Sequence, residues 1–189
     1  YLVITQSLLL DGDLQIENNH ARGDYRAYYG GPLRPDYLER GQNEQIYSIH
    51  APGLPVLLLP GFASGGAAGA VATVALVGAL AALAIFEMGA LIGGQATAWA
   101  TWAATCLTVP FVPHAWSLFP EMPAAAIVAW ALLWFARDAA ATPLAWLGRG
   151  LAIAALPWLH TKFVLFAVAL PLVLLGRLRG QFKERTAFL

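Results

Sequence analysis

Apolar residues in this chain gather in long runs, and polar residues gather in one block near the beginning. Residues 1–10, YLVITQSLLL, predict a short helix that Asp11-Gly12-Asp13 ends. From there to His50 the pattern is polar and rich in turns, with breaker clusters at Asn18-Asn19, Gly30-Gly31-Pro32 and Arg34-Pro35-Asp36. Tyr25, Tyr28, Tyr29, Tyr37 and Tyr47 are interleaved through it. Amphipathic rings are favoured at the headgroup level of a bilayer, so these tyrosines are expected to anchor the segment there. So many tyrosines and leucines do not describe a disordered linker.

The apolar runs follow. Residues 54–63, LPVLLLPGFA, are too short to span a membrane and are interrupted by Pro55 and Pro60, so they predict a re-entrant or interfacial entry. About twenty apolar residues cross a 30 Å hydrocarbon core, and the run from about 66 to 90 meets that length. Further spans are expected over about 96–112 and 123–137. Residues 144–176 predict a hairpin, because Pro157 and the polar run His160-Thr161-Lys162 divide them into arms of about 144–158 and 163–176. Small residues in the first two spans let helix backbones approach closely in lipid. The expected fold is an all-α polytopic transmembrane helical bundle, with an extracytoplasmic loop segment containing short helices. Residues 1–53 form the extracytoplasmic or interfacial segment, and 54–189 the transmembrane bundle.

Composition agrees. Of 189 residues, 59% are hydrophobic and 12% charged, about half the charge of an ordinary soluble domain. Formal net charge is zero, and no basic stripe points to nucleic acid. The charges are unevenly placed. Residues 11–53 hold seven carboxylates against four arginines. Arg137 and Arg149 flank one later connection, and Arg177, Arg179, Lys183 and Arg185 cluster at the end. Basic residues in short loops face the cytoplasm, and counting spans puts both groups on one side. The 11–53 segment, the 113–122 connection and the 160–162 turn then share the opposite side. The expected location is a bacterial inner membrane, with 11–53 extracytoplasmic. Without an initiator Met or a basic leader, the chain reads as a fragment with its natural ends outside it. Cys106 is alone, so no disulfide forms within the chain.

That opposite side gathers His20, His50, His114, Glu121, His160 and Lys162. Ionisable groups at membrane depth are costly and point to function. Each also has a plainer reading. Glu121 in PEMP is favoured at a helix start by the macrodipole, and Lys162 can snorkel to water between apolar arms. Turn chemistry accounts for Pro52 and Gly53 in YSIHAPGLP, but not for the imidazole of His50. Imidazole and carboxylate suit several divalent ions, yet no two of these histidines have ligand spacing such as HxxxH. No metal ligands are assigned and no cofactor is required, with a divalent metal left open. No P-loop, GxSxG or HExxH pattern is present.

The run YLVITQSLLLDGDLQIENNH, the Tyr-rich segment and YSIHAPGLPVLLLP together resemble bacterial polytopic glycosyltransferases of the C superfold. These are relatives of the protein O-mannosyltransferases and the lipid A aminoarabinose transferases. PEMPAA resembles that family's acidic motif in the second external loop, and LPWLHTKF its short helix break carrying a lysine. The resemblance covers essentially the whole chain as the N-terminal half of the membrane module. It implies sugar transfer from a polyprenyl-phosphate donor to an extracytoplasmic acceptor that the sequence does not specify. In this family the principal carboxylate lies in an Asp-Glu pair just after the first transmembrane helix. That pair is absent here and is expected upstream of Tyr1, so Asp11 and Asp13 do not inherit its role, and this fragment alone is expected to be inactive. The resemblance further implies that His50 and Lys162 contact donor phosphate, and that Glu121 contacts acceptor or sugar hydroxyls or helps a metal. His50 stands where relatives often carry lysine, which makes a phosphate role there depend on pH. Two other classes compete: a secondary transporter with broken helices, and a non-catalytic membrane subunit docking through its polar segment.

Overall fold

Two diglycines divide the longest apolar stretch of the chain. In the computed structural model, which describes residues 1–137 and 142–174, helix α3 runs Gly53–Cys106 but leaves helical geometry at Gly65-Gly66 and Gly93-Gly94. Gly66 and Gly94 take φ of 57° and 76°, which glycine adopts without a Cβ penalty. Three arms result, 53–64, 67–92 and 95–106. Gly61 and Gly69 would lie about 12 Å apart along one straight helix. Instead their backbones touch so closely that a Cβ on Gly69 would sit 2.8 Å from the Gly61 carbonyl carbon. At the second break a Cβ on Gly89 would sit 2.8 Å from the Ala98 Cα. The chain therefore folds back at both diglycines, and small residues permit both crossings.

The other elements are mostly short. Helix α1 is Leu2–Leu10 and α2 is Glu17–Arg22, followed by a 3₁₀ turn, Asp24–Ala27. After α3 come α4, Phe111–His114, and α5, Glu121–Ala136. Helix α6, Pro143–Ala154, starts with Pro143 in its first turn and with the Thr142 hydroxyl accepting from the Ala145 N–H at 3.2 Å, a favourable start on both counts. It continues through α7, Leu156–Leu159, into a 3₁₀ turn, Thr161–Phe163, and helix α8 over 164–174. Among the described residues the β pairing consists of an isolated bridge, Gln15 to Tyr47. The basic tail of Arg177, Arg179, Lys183 and Arg185, and positions 175–176 of the expected last span, lie outside the described residues.

The polar segment is an ordered cap on the helices. Ile16 and Ile46, joined by a backbone hydrogen bond of 3.0 Å, are buried with Val3, Ile4 and Tyr25 in a small core. Each buried aliphatic side chain there contributes about 1.5–3 kcal/mol. Tyr25 thus packs inward, while Tyr29, Tyr37 and Tyr47 remain exposed. Asn19 is fully buried and donates to Asp11 at 2.9 Å and Asp24 at 3.0 Å, and Arg22 reaches the same two carboxylates at 2.7 and 2.8 Å. The guanidinium holds both carboxyls below their usual range. Asp13 accepts from the Ser7 hydroxyl at 2.8 Å and the Gln15 N–H at 3.0 Å. These carboxylates are bound into the cap's own framework.

Beneath the cap, Leu54, Leu58 and Val74 of α3 pack with Met122 and Ala131 of α5 and with Leu156 and Phe163. The Trp130 indole N–H donates to the Leu80 carbonyl at 3.0 Å, and Arg137 pairs with Glu87 at the far end of α5. The outside of this helical set is strongly apolar, with Leu76, Ile92, Leu107, Leu144 and Leu165 all well exposed. Helix α3 is long and apolar enough to cross a membrane, and only 28% of its most apolar window is buried. The core helix of a soluble protein would be mostly covered.

Candidate functional site

Glu121 and Lys162 come from separate stretches and pair at the cap end of the helices, and His50 stands nearby at the entry to α3, whose Gly53 lies on the backbone at 158–159. Pro120 caps α5, and Glu121 opens it as the acidic residue of its first turn. Lys162 depends on a break in the chain. His160 has extended backbone, with φ −171° and ψ 143°, and stops α7. Its Nδ1 then accepts the Lys162 N–H at 3.2 Å, as a capping group would, and starts the 3₁₀ turn. That bond places the proton of neutral His160 on Nε2. The turn aims Lys162 at α5, where Nζ pairs with Glu121 Oε1 and lies 5.2 Å from the Phe163 ring centre. The other carboxylate oxygen, Glu121 Oε2, is buried and has no hydrogen-bond partner among the described residues.

His50 stands at the entry to α3. Its Nε2 lies 3.3 Å from Asp36 Oδ2, and its ring stacks on Tyr1 with centroids 4.3 Å apart. Burial pushes the imidazole below its ordinary range, and the nearby His160 adds to that, while Asp36 opposes it. His50 is therefore neutral near pH 7, and its positive form depends on Asp36. The Tyr1 phenol is held above its ordinary range by burial and by the Glu121 carboxylate, which ties Tyr1 to the same cluster. Gly53 fixes how these parts fit. A Cβ there would sit 2.5 Å from the Trp158 carbonyl carbon and 2.8 Å from the Leu159 nitrogen. The start of α3 thus lies directly on the backbone that leads into the lysine turn.

The remaining candidates divide. His114 bonds the Pro110 carbonyl through Nδ1 at 2.6 Å, and His20 bonds the Leu33 carbonyl at 3.0 Å inside the cap. The first closes a local turn, and the second ties two stretches of the cap together. Among the described residues, no three His, Cys, Asp or Glu side chains form a group that would hold a metal ion. Sequence reasoning missed Tyr1 and Asp36. Asp36 sits in an Arg-Pro-Asp breaker cluster, and nothing in its spacing links it to His50.

Chemically, the site offers one ammonium partly neutralised by one carboxylate, one unsatisfied carboxylate oxygen and one neutral imidazole. The lysine and glutamate side chains keep 46% and 36% of their surface exposed, so the pair can exchange partners with an incoming ligand. The chain matches no family model, no curated protein and no solved structure.

Proposed function

We propose that this chain is part of an integral membrane glycosyltransferase, transferring a sugar from a polyprenyl-phosphate donor to an extracytoplasmic acceptor. The arms 67–92 and 95–106, the latter extended through α4, then cross the bilayer with α5, α6–α7 and α8. The assembly is a polytopic bundle in the bacterial inner membrane, with residues 11–53 outside the cytoplasm. Arm 67–92 is about 39 Å long at about 1.5 Å per residue, enough for a 30 Å core with tilt. Arg137 and Arg149 then face the cytoplasm, and Glu121, Lys162 and His50 face away from it.

The observation that carries the reading is the Lys162–Glu121 pair. It joins the helix break that resembles the family's lysine motif to the turn that resembles its acidic motif, 41 positions apart. In the transfer, the acceptor nucleophile attacks the anomeric carbon, the carbon–oxygen bond to phosphate breaks, and polyprenyl phosphate departs. Such a step needs a base for the acceptor proton and a positive field for the phosphate. Lys162 supplies that field as a point charge. When phosphate takes over the ammonium, Glu121 is released, and its buried Oε2 accepts a hydrogen bond from a hydroxyl of acceptor or sugar. His50 adds positive charge only when protonated against Asp36. The base is not assigned to any residue of this chain.

The test is reconstitution of the full-length protein with a labelled polyprenyl-phosphate sugar. Glu121→Ala and Lys162→Ala are each expected to abolish measurable transfer while expression and thermal stability stay near wild type. An exposed pair contributes only about 0–1 kcal/mol to stability. Wild-type transfer in both variants would remove these residues from the mechanism.

A further inference from the structure

At the opposite end of the helices, α5, α6 and α8 line an open-sided cavity of about 180 Å³ that the proposed transfer does not use. Its walls are almost wholly apolar, with Phe135 and Ile153 buried in its floor and Ala167 and Pro171 of α8 closing one side. Gly150 leaves a gap, since no described residue lies within 4 Å of where its Cβ would be. One charged group stands at the rim. The Arg149 guanidinium lies over two indole rings, 5.3 Å from the Trp134 ring centre and 5.0 Å from that of Trp146.

Arg149 lies about two turns into α6. On the membrane placement proposed above this is the cytoplasmic interface, where a basic side chain meets lipid headgroups. Two tryptophan faces supply part of what water would give and fix the planar guanidinium in one place. Among the described residues no carboxylate pairs with it, in contrast to Arg137, which pairs with Glu87. A fixed guanidinium presents parallel N–H groups suited to phosphate. Dry apolar cavities of about 150 Å³ take up apolar guests. A ligand that satisfies both halves carries a phosphate and a hydrocarbon chain.

We propose that this cavity binds an anionic glycerophospholipid of the cytoplasmic leaflet, with the headgroup phosphate on Arg149 and part of an acyl chain between α6 and α8. The site is separate from the Lys162 cluster, because Arg149 and Leu159 are about 15 Å apart along the α6–α7 axis. The inference rests on the membrane placement proposed above and not on sugar transfer. Basic pockets between membrane helices on the cytoplasmic side recognise lipid headgroups in this way.

The test equilibrates the full-length protein with phosphatidylcholine vesicles containing a minor fraction of phosphatidylglycerol. The protein is then extracted gently and its retained lipid measured by mass spectrometry. Wild-type protein is expected to retain phosphatidylglycerol enriched about fivefold over the bulk membrane, the factor one well-placed arginine supplies. Arg149→Gln should return the ratio to bulk. Ala167→Trp should do the same by filling the cavity while keeping the charge. Arg137→Gln and Lys162→Ala should retain the enrichment, and excess inorganic phosphate should not displace it. A bulk ratio in the wild type, or wild-type enrichment in Arg149→Gln, overturns the proposal. Displacement by inorganic phosphate reduces the site to an anion site without a lipid and overturns it too. Loss in Lys162→Ala would place the anionic lipid at the other end of the helices, which likewise overturns the proposal. No donor is present in the assay, so failed sugar transfer and failed lipid retention are read separately.

Discussion

Replacing Gly53 with alanine tests how the lysine turn is positioned, because the atoms nearest the added Cβ belong to the backbone at 158–159. The added Cβ would meet the Trp158 carbonyl carbon at 2.5 Å and the Leu159 nitrogen at 2.8 Å. Carbon–carbon contacts settle at about 3.5–4.0 Å, so the backbone at 158–159 must retreat by about 1 Å. Both obstacles are backbone atoms, and no side chain can swing aside to absorb the shift. Overpacking of this kind costs about 1–3 kcal/mol, offset by roughly 0.5–1 kcal/mol that alanine gains over glycine in a helix. The expected net loss is about 1–2 kcal/mol, or roughly 2–8 °C in the unfolding midpoint for a chain of this size. The functional loss should be larger. The displaced segment leads directly into His160 and Lys162, and a misplacement of about 1 Å at a reacting centre costs about 100-fold in rate. Thermal unfolding in detergent and transfer from a labelled polyprenyl-phosphate sugar, both on the full-length protein, read the two effects. Gly148→Ala is the control, since no described residue lies within 4 Å of its Cβ position, and it should match wild type in both assays. Wild-type stability and rate in Gly53→Ala would show that α3 does not set the position of the lysine turn.

Three further outcomes are expected. Gly69→Ala places a Cβ 2.8 Å from the Gly61 carbonyl carbon and should destabilise the protein by about 1–3 kcal/mol in thermal unfolding. Equal or greater stability would mean that the chain does not fold back at Gly65-Gly66. His50, with an ordinary value of 6.5 lowered by burial, binds protons more readily in the unfolded chain. Its contribution to stability is therefore complete above about pH 6.5 and is lost as pH falls through the lower folded value. Unfolding midpoints measured across that interval should fall less steeply in His50→Asn, and an unchanged slope would refute the assignment. Asn19→Ala removes the amide that joins Asp11 to Asp24 inside the cap. It should cost about 1–3 kcal/mol and increase proteolysis within 11–50, which limited digestion would detect.

The sequence by itself determined the helical class and the apolar exterior. Long runs of Ala, Leu and Val without alternation leave no pattern for strands, and a chain with 12% charge cannot cover itself with polar surface. It also carried the dividing point of the 144–176 hairpin, because a polar run between two apolar arms is favoured where the chain meets water. Glu121 and Lys162 were both legible as ionisable groups out of place in an apolar chain. Their pairing was not, because it depends on how α5 and the 160–162 turn face each other across 41 positions. Tertiary structure alone placed Tyr1 and Asp36 beside His50, and turned Tyr25 inward when its composition pointed to the headgroups. It alone brought Arg149 to Trp134 of the neighbouring helix α5, whereas Trp146, three positions earlier on α6, is a neighbour that helix geometry supplies. The diglycines lie between these cases. Sequence marks Gly65-Gly66 and Gly93-Gly94 as weak points of a helix. Only the close contacts of Gly61 with Gly69, and of Gly89 with Ala98, decide that the chain folds back there and does not merely bend. The physical reason is one of range: helix formation and helix breaking are settled within a few residues. Packing is settled by whichever surfaces the folded chain brings together.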